Sequence, residues 1–184
     1  MIFVYNMLTN DIRRFIMVYG NRLPYIRGLD MKKVYVIEEA CMGCGLCEVY
    51  CRLEHASSKD IIKALQKESP RSVPRVEVQR KAPVSFALQC RHCDEPHCVY
   101  ACLTGALQRD PENGTVLVDT DKCMGCWTCV LACPFGVIRR DTERGTIAKC
   151  DLCYASGTPA CVAHCPNEAL VYTECESPVS TWQK

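Results

Sequence analysis

The apolar positions of this chain come in short bursts rather than long runs. From residue 31, "MKKVYV" passes from polar residues into a β-branched and aromatic run, which predicts a short strand leading straight into "EEACMGCG". "TVLVD" at 115–119 alternates apolar and polar positions and follows an Asn113-Gly114 turn signal, so another strand is expected there. One longer helix is predicted over Ser58–Lys67, capped by Ser57 or Ser58 and stopped by Ser69-Pro70. "PRSVPRVEVQRKAP" at 70–83 is basic and punctuated by proline. It reads as an edge strand plus loop, and as a solvated linker in preference to a docking face built on Arg75, Arg80 and Lys81. Val34, Val36, Phe86, Leu88, Val116, Val118, Leu170 and Val171 are the expected packing residues.

Residues 1–30 differ from the rest. Leu8, Ile12, Phe15, Ile16, Tyr19 and Leu23 fall at helical spacing, which fits an amphipathic docking helix. The competing and preferred expectation is that Met31 is the native start and residues 1–30 are an extension. "FIMVY" after Arg13 and Arg14 is too short for a secretory apolar region, and no run reaches the roughly 20 residues of a membrane span. The expected location is the cytoplasm, at most peripheral to a membrane complex.

Composition changes this picture at one residue type. The 184 residues include 17 cysteines, about 9% and close to the density of disulfide scaffolds or metal proteins. Disulfides would require an oxidising compartment, so metal is the stronger reading. The cysteines form four groups: Cys41, Cys44, Cys47 and Cys51; Cys90, Cys93, Cys98 and Cys102; Cys123, Cys126, Cys129 and Cys133; and Cys150, Cys153, Cys161 and Cys165. Each group is C-x2-C, a variable gap, then C-x3-C, so the chain carries an internal repeat.

A cubane 4Fe–4S cluster offers four iron corners, and each takes a soft thiolate. Closely spaced cysteines on one loop wrap three corners, and the cysteine four residues on reaches a neighbouring cluster. Group three, ending Cys133-Pro134, reproduces the bacterial C-x2-C-x2-C-x3-C-P run in full. Groups one and two carry Arg52 and Leu103 in place of that proline, and group four keeps it as Pro166. Four all-cysteine zinc sites would also consume these thiols, but zinc ribbons separate two C-x2-C knuckles and have no use for this spacing.

Three pairings of four groups are possible. The turn and strand between Cys102 and Cys123 are the connection expected inside a two-cluster ferredoxin, so groups two and three should exchange their fourth cysteines, leaving groups one and four to pair. The expected ligand sets, for four 4Fe–4S clusters, are Cys41, Cys44, Cys47 and Cys165; Cys150, Cys153, Cys161 and Cys51; Cys90, Cys93, Cys98 and Cys133; and Cys123, Cys126, Cys129 and Cys102. The corresponding fold is α+β: two nested ferredoxin-like modules of short strands and helices. The outer module takes residues 31–51 and 149–173, the inner one 84–148, with a helix and linker insertion at 52–83 and a tail at 174–184.

The four-group pattern resembles the four-cluster iron–sulfur subunits of the dimethyl-sulfoxide-reductase, formate-dehydrogenase and formate-hydrogenlyase type. "CMGCGLCEVYCRLEH", "VSFALQCRHCDEPHCVYACLTGAL", "KCMGCWTCVLACPFGVI" and the linker "SKDIIKALQKESPR" resemble more narrowly the ferredoxin-like protein associated with carbon monoxide dehydrogenase. The resemblance covers about residues 31–173 and implies the same nested pairing. It also implies a role carrying electrons from carbon monoxide dehydrogenase to a hydrogenase or a flavin-dependent NAD(P) reductase. The alternative is an electron-transfer subunit of a molybdenum or tungsten oxidoreductase, a formate dehydrogenase or a hydrogenase complex. A redox-inert, metal-stapled protein is the alternative of another class.

No complete dinucleotide fingerprint, phosphate loop or nucleophile–base motif is present, so no catalytic residue is expected and the chain is not an enzyme by itself. A formal charge of +1 without a basic stripe argues against nucleic acid. His92, His97 and His164 are expected to donate hydrogen bonds or pack, because every cluster corner already has a thiolate. Trp127 is expected to pack, and Cys175, the odd cysteine in a polar tail, is not expected to be a ligand.

Overall fold

The computed structural model describes residues 31–81 and 83–174. The expectations for residues 1–30 and for Cys175 lie outside the described residues. The strands pair in four separate two-stranded antiparallel sheets. β1 (Lys33–Val36) pairs with β8 (Leu170–Thr173), β2 (Val76–Lys81) with β3 (Val84–Gln89), β4 (Leu107–Arg109) with β5 (Val116–Val118), and β6 (Arg139–Asp141) with β7 (Thr146–Ala148). Four short helices carry cysteines: α1 (Leu46–Glu54), α2 (His97–Tyr100), α3 (Thr128–Ala132) and α4 (Ala160–Ala163). The result is a small α+β, ferredoxin-like arrangement. No helix among the described residues is long and apolar enough to cross a membrane.

The first and last described segments close on each other. Val34 faces Tyr172 across β1–β8, the Ile37 N–H donates to the Ala169 carbonyl at 2.8 Å, and Asn167 Nδ2 donates to the Ala40 carbonyl at 3.2 Å. α1 packs on α4, and α2 packs on α3. Two apolar clusters result. One gathers Val34, Val76, Val78, Ala87, Leu152 and Leu170 with Cys47, Cys51 and Cys161. The other gathers Leu107, Val116, Ile138 and Ile147 with Cys129. Cysteine is part of both, so the packing that positions the thiols also makes up much of the core.

Three expectations change. The helix expected over Ser58–Lys67 is a shorter helical segment over 61–67, and the longest helix among the described residues is α1, nine residues long. Asp60, not a serine, caps the shorter one: its Oδ1 accepts the Lys63 N–H at 2.9 Å, while Ser58 Oγ accepts the Asp60 N–H. A carboxylate at a helix N-terminus gains charge–dipole energy that a hydroxyl lacks. The apolar face of α1 consists largely of Cys47 and Cys51, four residues apart and both buried, so it shows no aliphatic periodicity.

The basic stretch forms the expected loop and edge strand, residues 70–75 and Val76–Lys81, but it is not solvated throughout. Val76 and Val78 are buried, and the hairpin β2–β3 joins residues on both sides of the 83/84 boundary. Finally, Phe86 and Leu88 are half-buried, whereas Ala87 and Gln89 face the core. The register pairs Val76 with Gln89, Val78 with Ala87 and Arg80 with Ser85 on one face. Arg80 Nε donates to the Gly43 carbonyl at 2.7 Å, and Ser85 Oγ donates to that of Cys41 at 2.6 Å. Those two bonds hold this face against the first cysteine loop, and a one-residue shift would turn every side chain over.

Candidate metal centres

All sixteen described cysteines carry free thiols. Three cavities of similar size are each lined by four of them. Cys41, Cys44, Cys47 and Cys165 line the first, with about 350 Å³ free of protein atoms. Cys90, Cys93, Cys98 and Cys133 line another of about 350 Å³. Cys102, Cys123, Cys126 and Cys129 line the third, of about 320 Å³. Cys51, Cys150, Cys153 and Cys161 make a fourth set, in which Cys161 lies within electrostatic reach of the other three. Every set combines three cysteines of one group with the last cysteine of another.

The local backbone repeats with the cysteines. The second residue after the first cysteine of each group has positive φ: Gly43 at 69°, His92 at 44°, Gly125 at 67° and Leu152 at 58°. Glycine accepts this conformation freely, whereas histidine and leucine adopt it at a cost. The turn directs backbone N–H groups at sulfur. His92 N–H lies 3.4 Å from Cys90 Sγ, and Leu152 N–H lies 3.4 Å from Cys150 Sγ. Arg75 N–H donates to Cys51 Sγ at 3.2 Å and Ala160 N–H to Cys153 Sγ at 3.4 Å. Sequence reasoning missed this shared turn, although Gly43 and Gly125 mark it once the groups are aligned.

Burial pushes seven of these thiols up, whereas hydrogen bonds from the backbone and from Thr104 and Thr128 bring Cys102 and Cys126 down. Desolvation raises Cys47 and Cys150 to about 12 and Cys129 and Cys153 to about 11, with neighbouring thiols adding to it at Cys47 and Cys129. Cys161 is pushed up further by burial and by Cys150. Such a set holds protons until a cation replaces them, as expected of metal-ligating thiols.

The spread of the sulfurs argues against a single zinc ion in each set. Four thiolates on one zinc ion, at about 2.3 Å each, stand about 3.8 Å apart. Among the described residues, the ligand atoms that lie within 4.8 Å of one another as a trio belong to His55, Asp151 and Cys153, not to any of the four-cysteine sets. That trio is an ion pair beside a thiol: His55 Nε2 sits 3.1 Å from Asp151, which also takes Arg75 at 2.6 Å. Burial opposes protonation of His55, but Asp151 and Cys51 outweigh it and raise His55 to about 9. The wider cysteine sets fit a cubane, whose corners hold the thiolates apart.

His92 gives a second observation of fit. It is fully buried and lines the cavity of Cys90, Cys93, Cys98 and Cys133. Its Nδ1 accepts the Val116 N–H at 3.0 Å, which assigns the proton to Nε2, and Nε2 has no acceptor on the protein. Burial, reinforced by Lys149, keeps the ring neutral. A sulfur-rich group in the cavity would accept that hydrogen bond. His164 stacks on Tyr50 at 3.6 Å, and His97 meets Tyr100 edge-on at 6.4 Å, so both pack. Trp127 packs against the second apolar cluster.

The model of the 4Fe-4S dicluster domain family matches residues 83–175. The thiosulfate reductase electron transfer subunit PhsB of Salmonella typhi is 37% identical over 161 residues, 79% of this chain and 77% of PhsB. Protein NrfC of Escherichia coli is 36% identical over 78% of this chain and 65% of NrfC. The electron transport protein HydN of Escherichia coli is 36% identical over 74% of this chain and 86% of HydN. The chain therefore belongs to the 4Fe-4S dicluster family of iron–sulfur electron-transfer subunits.

Proposed function

We propose that this chain is a four-cluster relay, an electron-transfer subunit serving a separate reductase, dehydrogenase or hydrogenase. The observation that carries this reading is the gathering of sixteen thiols into four sets of four, each drawn from two groups. The ligand sets are those expected from the spacing. Cys41, Cys44, Cys47 and Cys165 hold the first cluster, and Cys150, Cys153, Cys161 and Cys51 the second. Cys90, Cys93, Cys98 and Cys133 hold the third, and Cys123, Cys126, Cys129 and Cys102 the fourth. Residues 31–51 with 149–173 form the outer module, braced by the hairpin β2–β3, and 84–148 contain the inner one.

When bound, each cluster supplies one-electron redox chemistry. The chain supplies order and insulation. Cys161 of the second set feels Cys47 of the first, and Cys150 of the second set feels Cys90 of the third. The third and fourth sets flank the same apolar cluster, to which Cys98, Cys102, Cys123 and Cys133 contribute. This supports a sequence from first to fourth. Cys44 of the first set and Cys126 of the fourth are exposed, so the two ends are where partners would exchange electrons.

PhsB, a thiosulfate reductase electron transfer subunit, favours a reductase-type complex over the carbon monoxide dehydrogenase partnership implied by the linker resemblance. Anaerobic purification with iron and sulfide analysis tests the core reading; about sixteen irons per chain are expected, four per cluster. Far fewer would refute it. Reversible low-potential waves on a film electrode are expected, and their absence would leave only a structural role. Co-purification of a catalytic reductase, rather than a nickel enzyme, decides the partner.

A further inference from the structure

Lys149 is a buried lysine, 2% exposed. Its Nζ donates to the Val116 carbonyl at 2.6 Å and to the Cys150 carbonyl at 2.9 Å. An ammonium has three donors, and the ion pairs among the described residues do not include Lys149. Two carbonyl dipoles do not repay the burial of a full charge, so an anionic neighbour is required.

The position of Lys149 supplies two. On one side it lines the cavity of Cys90, Cys93, Cys98 and Cys133, and on the other it holds the peptide of Cys150. Its charge acts on Cys98 and on Cys150, which belong to different sets. His92 is on the same scaffold: the Val116 peptide gives its N–H to His92 and its carbonyl to Lys149. Arg75 and Asp151 line the adjoining groove, but they pair with each other at 2.6 Å and leave Lys149 the unpaired cation of that groove; Arg91, which also lines the third cavity, is exposed and lies over the Phe135 ring. An oxidised cluster with four thiolates carries about −2. The equivalent lysine of the third group, Lys122 before Cys123, is exposed and paired with Asp119 at 2.7 Å, so it has no such role.

Building on the four-cluster reading, we propose that Lys149 is the fixed counter-charge shared by the two inner clusters. It favours the reduced state of both over the outer two and draws an electron from either end into the middle of the relay. Each step moves one electron, oxidising one cluster as its neighbour is reduced, with the partner enzyme as source.

The test uses the full-length holoprotein and its Lys149→Met and Lys149→Arg variants, with iron and sulfide analysis followed by redox titration monitored by paramagnetic resonance. In Lys149→Met with its iron intact, two of the four couples should become harder to reduce by tenfold or more, about 59 mV per tenfold for one electron. The other two should move less, and Lys149→Arg should restore the first pair. Unshifted couples, or an equal shift in all four, would overturn the inference.

If Lys149→Met does not assemble, the unsubstituted protein still decides. The first electron should enter the clusters whose relaxation a soluble paramagnetic complex reaches least, because no cysteine of the second or third set is exposed, whereas Cys44 of the first and Cys126 of the fourth are. First reduction at an accessible cluster would refute the role of Lys149. Iron well short of four clusters in the unsubstituted protein would instead bring down the four-cluster reading, and the inference with it.

Discussion

At Gly125 two constraints meet. Its φ is +67°, and a Cβ there would run into the Gly145 carbonyl, a backbone atom with little room to move. At Gly136 φ is +62°, but a Cβ would meet nothing within 4 Å. Gly136→Ala should therefore cost only the left-handed penalty, about 1–2 kcal/mol. Gly125→Ala should cost more and lose the fourth cluster, and iron content together with thermal melting of the two holoproteins would show the difference. The same turn at His92 and Leu152 is occupied by side chains that pack, so the strain there is offset by burial.

The hairpin β2–β3 acts as a clamp on the first cysteine loop. Val78 is buried in the first apolar cluster and lines the first cavity, and its N–H donates to Glu48 Oε1 of α1 at 2.8 Å. Arg80 holds the Gly43 carbonyl, and Arg75 holds Asp151. Arg80→Glu should therefore loosen the first cluster, and Arg75→Glu the second, each read as iron lost on incubation with a chelator. Lys81→Glu, with no ion pair among the described residues, should leave iron content unchanged. Equal effects of all three would mean that the basic stretch acts by net charge rather than by these contacts.

Across the whole molecule, the last cysteine of each group reaches a set begun elsewhere, so the chain's start and end share a site. Cys165 belongs to the fourth group but lines the cavity of Cys41, Cys44 and Cys47. Cys165→Ser should damage the first cluster more than the second, as seen by selective loss or shift of one spectroscopic signal; the reverse pattern would refute the exchanged ligand sets. Both apolar clusters are built around thiols and are small. Stripping the clusters leaves that surface without its filler, and circular dichroism should show a largely unstructured apoprotein. With four clusters the formal charge falls from +1 to about −7, so added electrons repel one another and the couples should titrate over a spread of potentials.

Spacing alone determined much of this protein. Three of the four thiols in each set are local: C-x2-C with a third cysteine shortly beyond places them on one loop, and that is visible in residue order, whereas the fourth comes from a distant group. The grouping of cysteines and the strands at 33–36 and 116–118 were legible for that reason. The phase of β3 was not, because alternating "VSFALQ" can bury either face and only the bonds from Arg80 and Ser85 to the first loop choose between them. Nor was the capping of the 61–67 segment, where Asp60, two residues beyond the expected Ser58, takes the cap. Lys149 shows the limit most clearly. Lys122 and Lys149 each stand immediately before a group's first cysteine, yet one is in solvent and the other is closed in by Val116, Cys150 and the third cavity. A buried charge depends on the segments that fold over it, and those come from sequence far from its own.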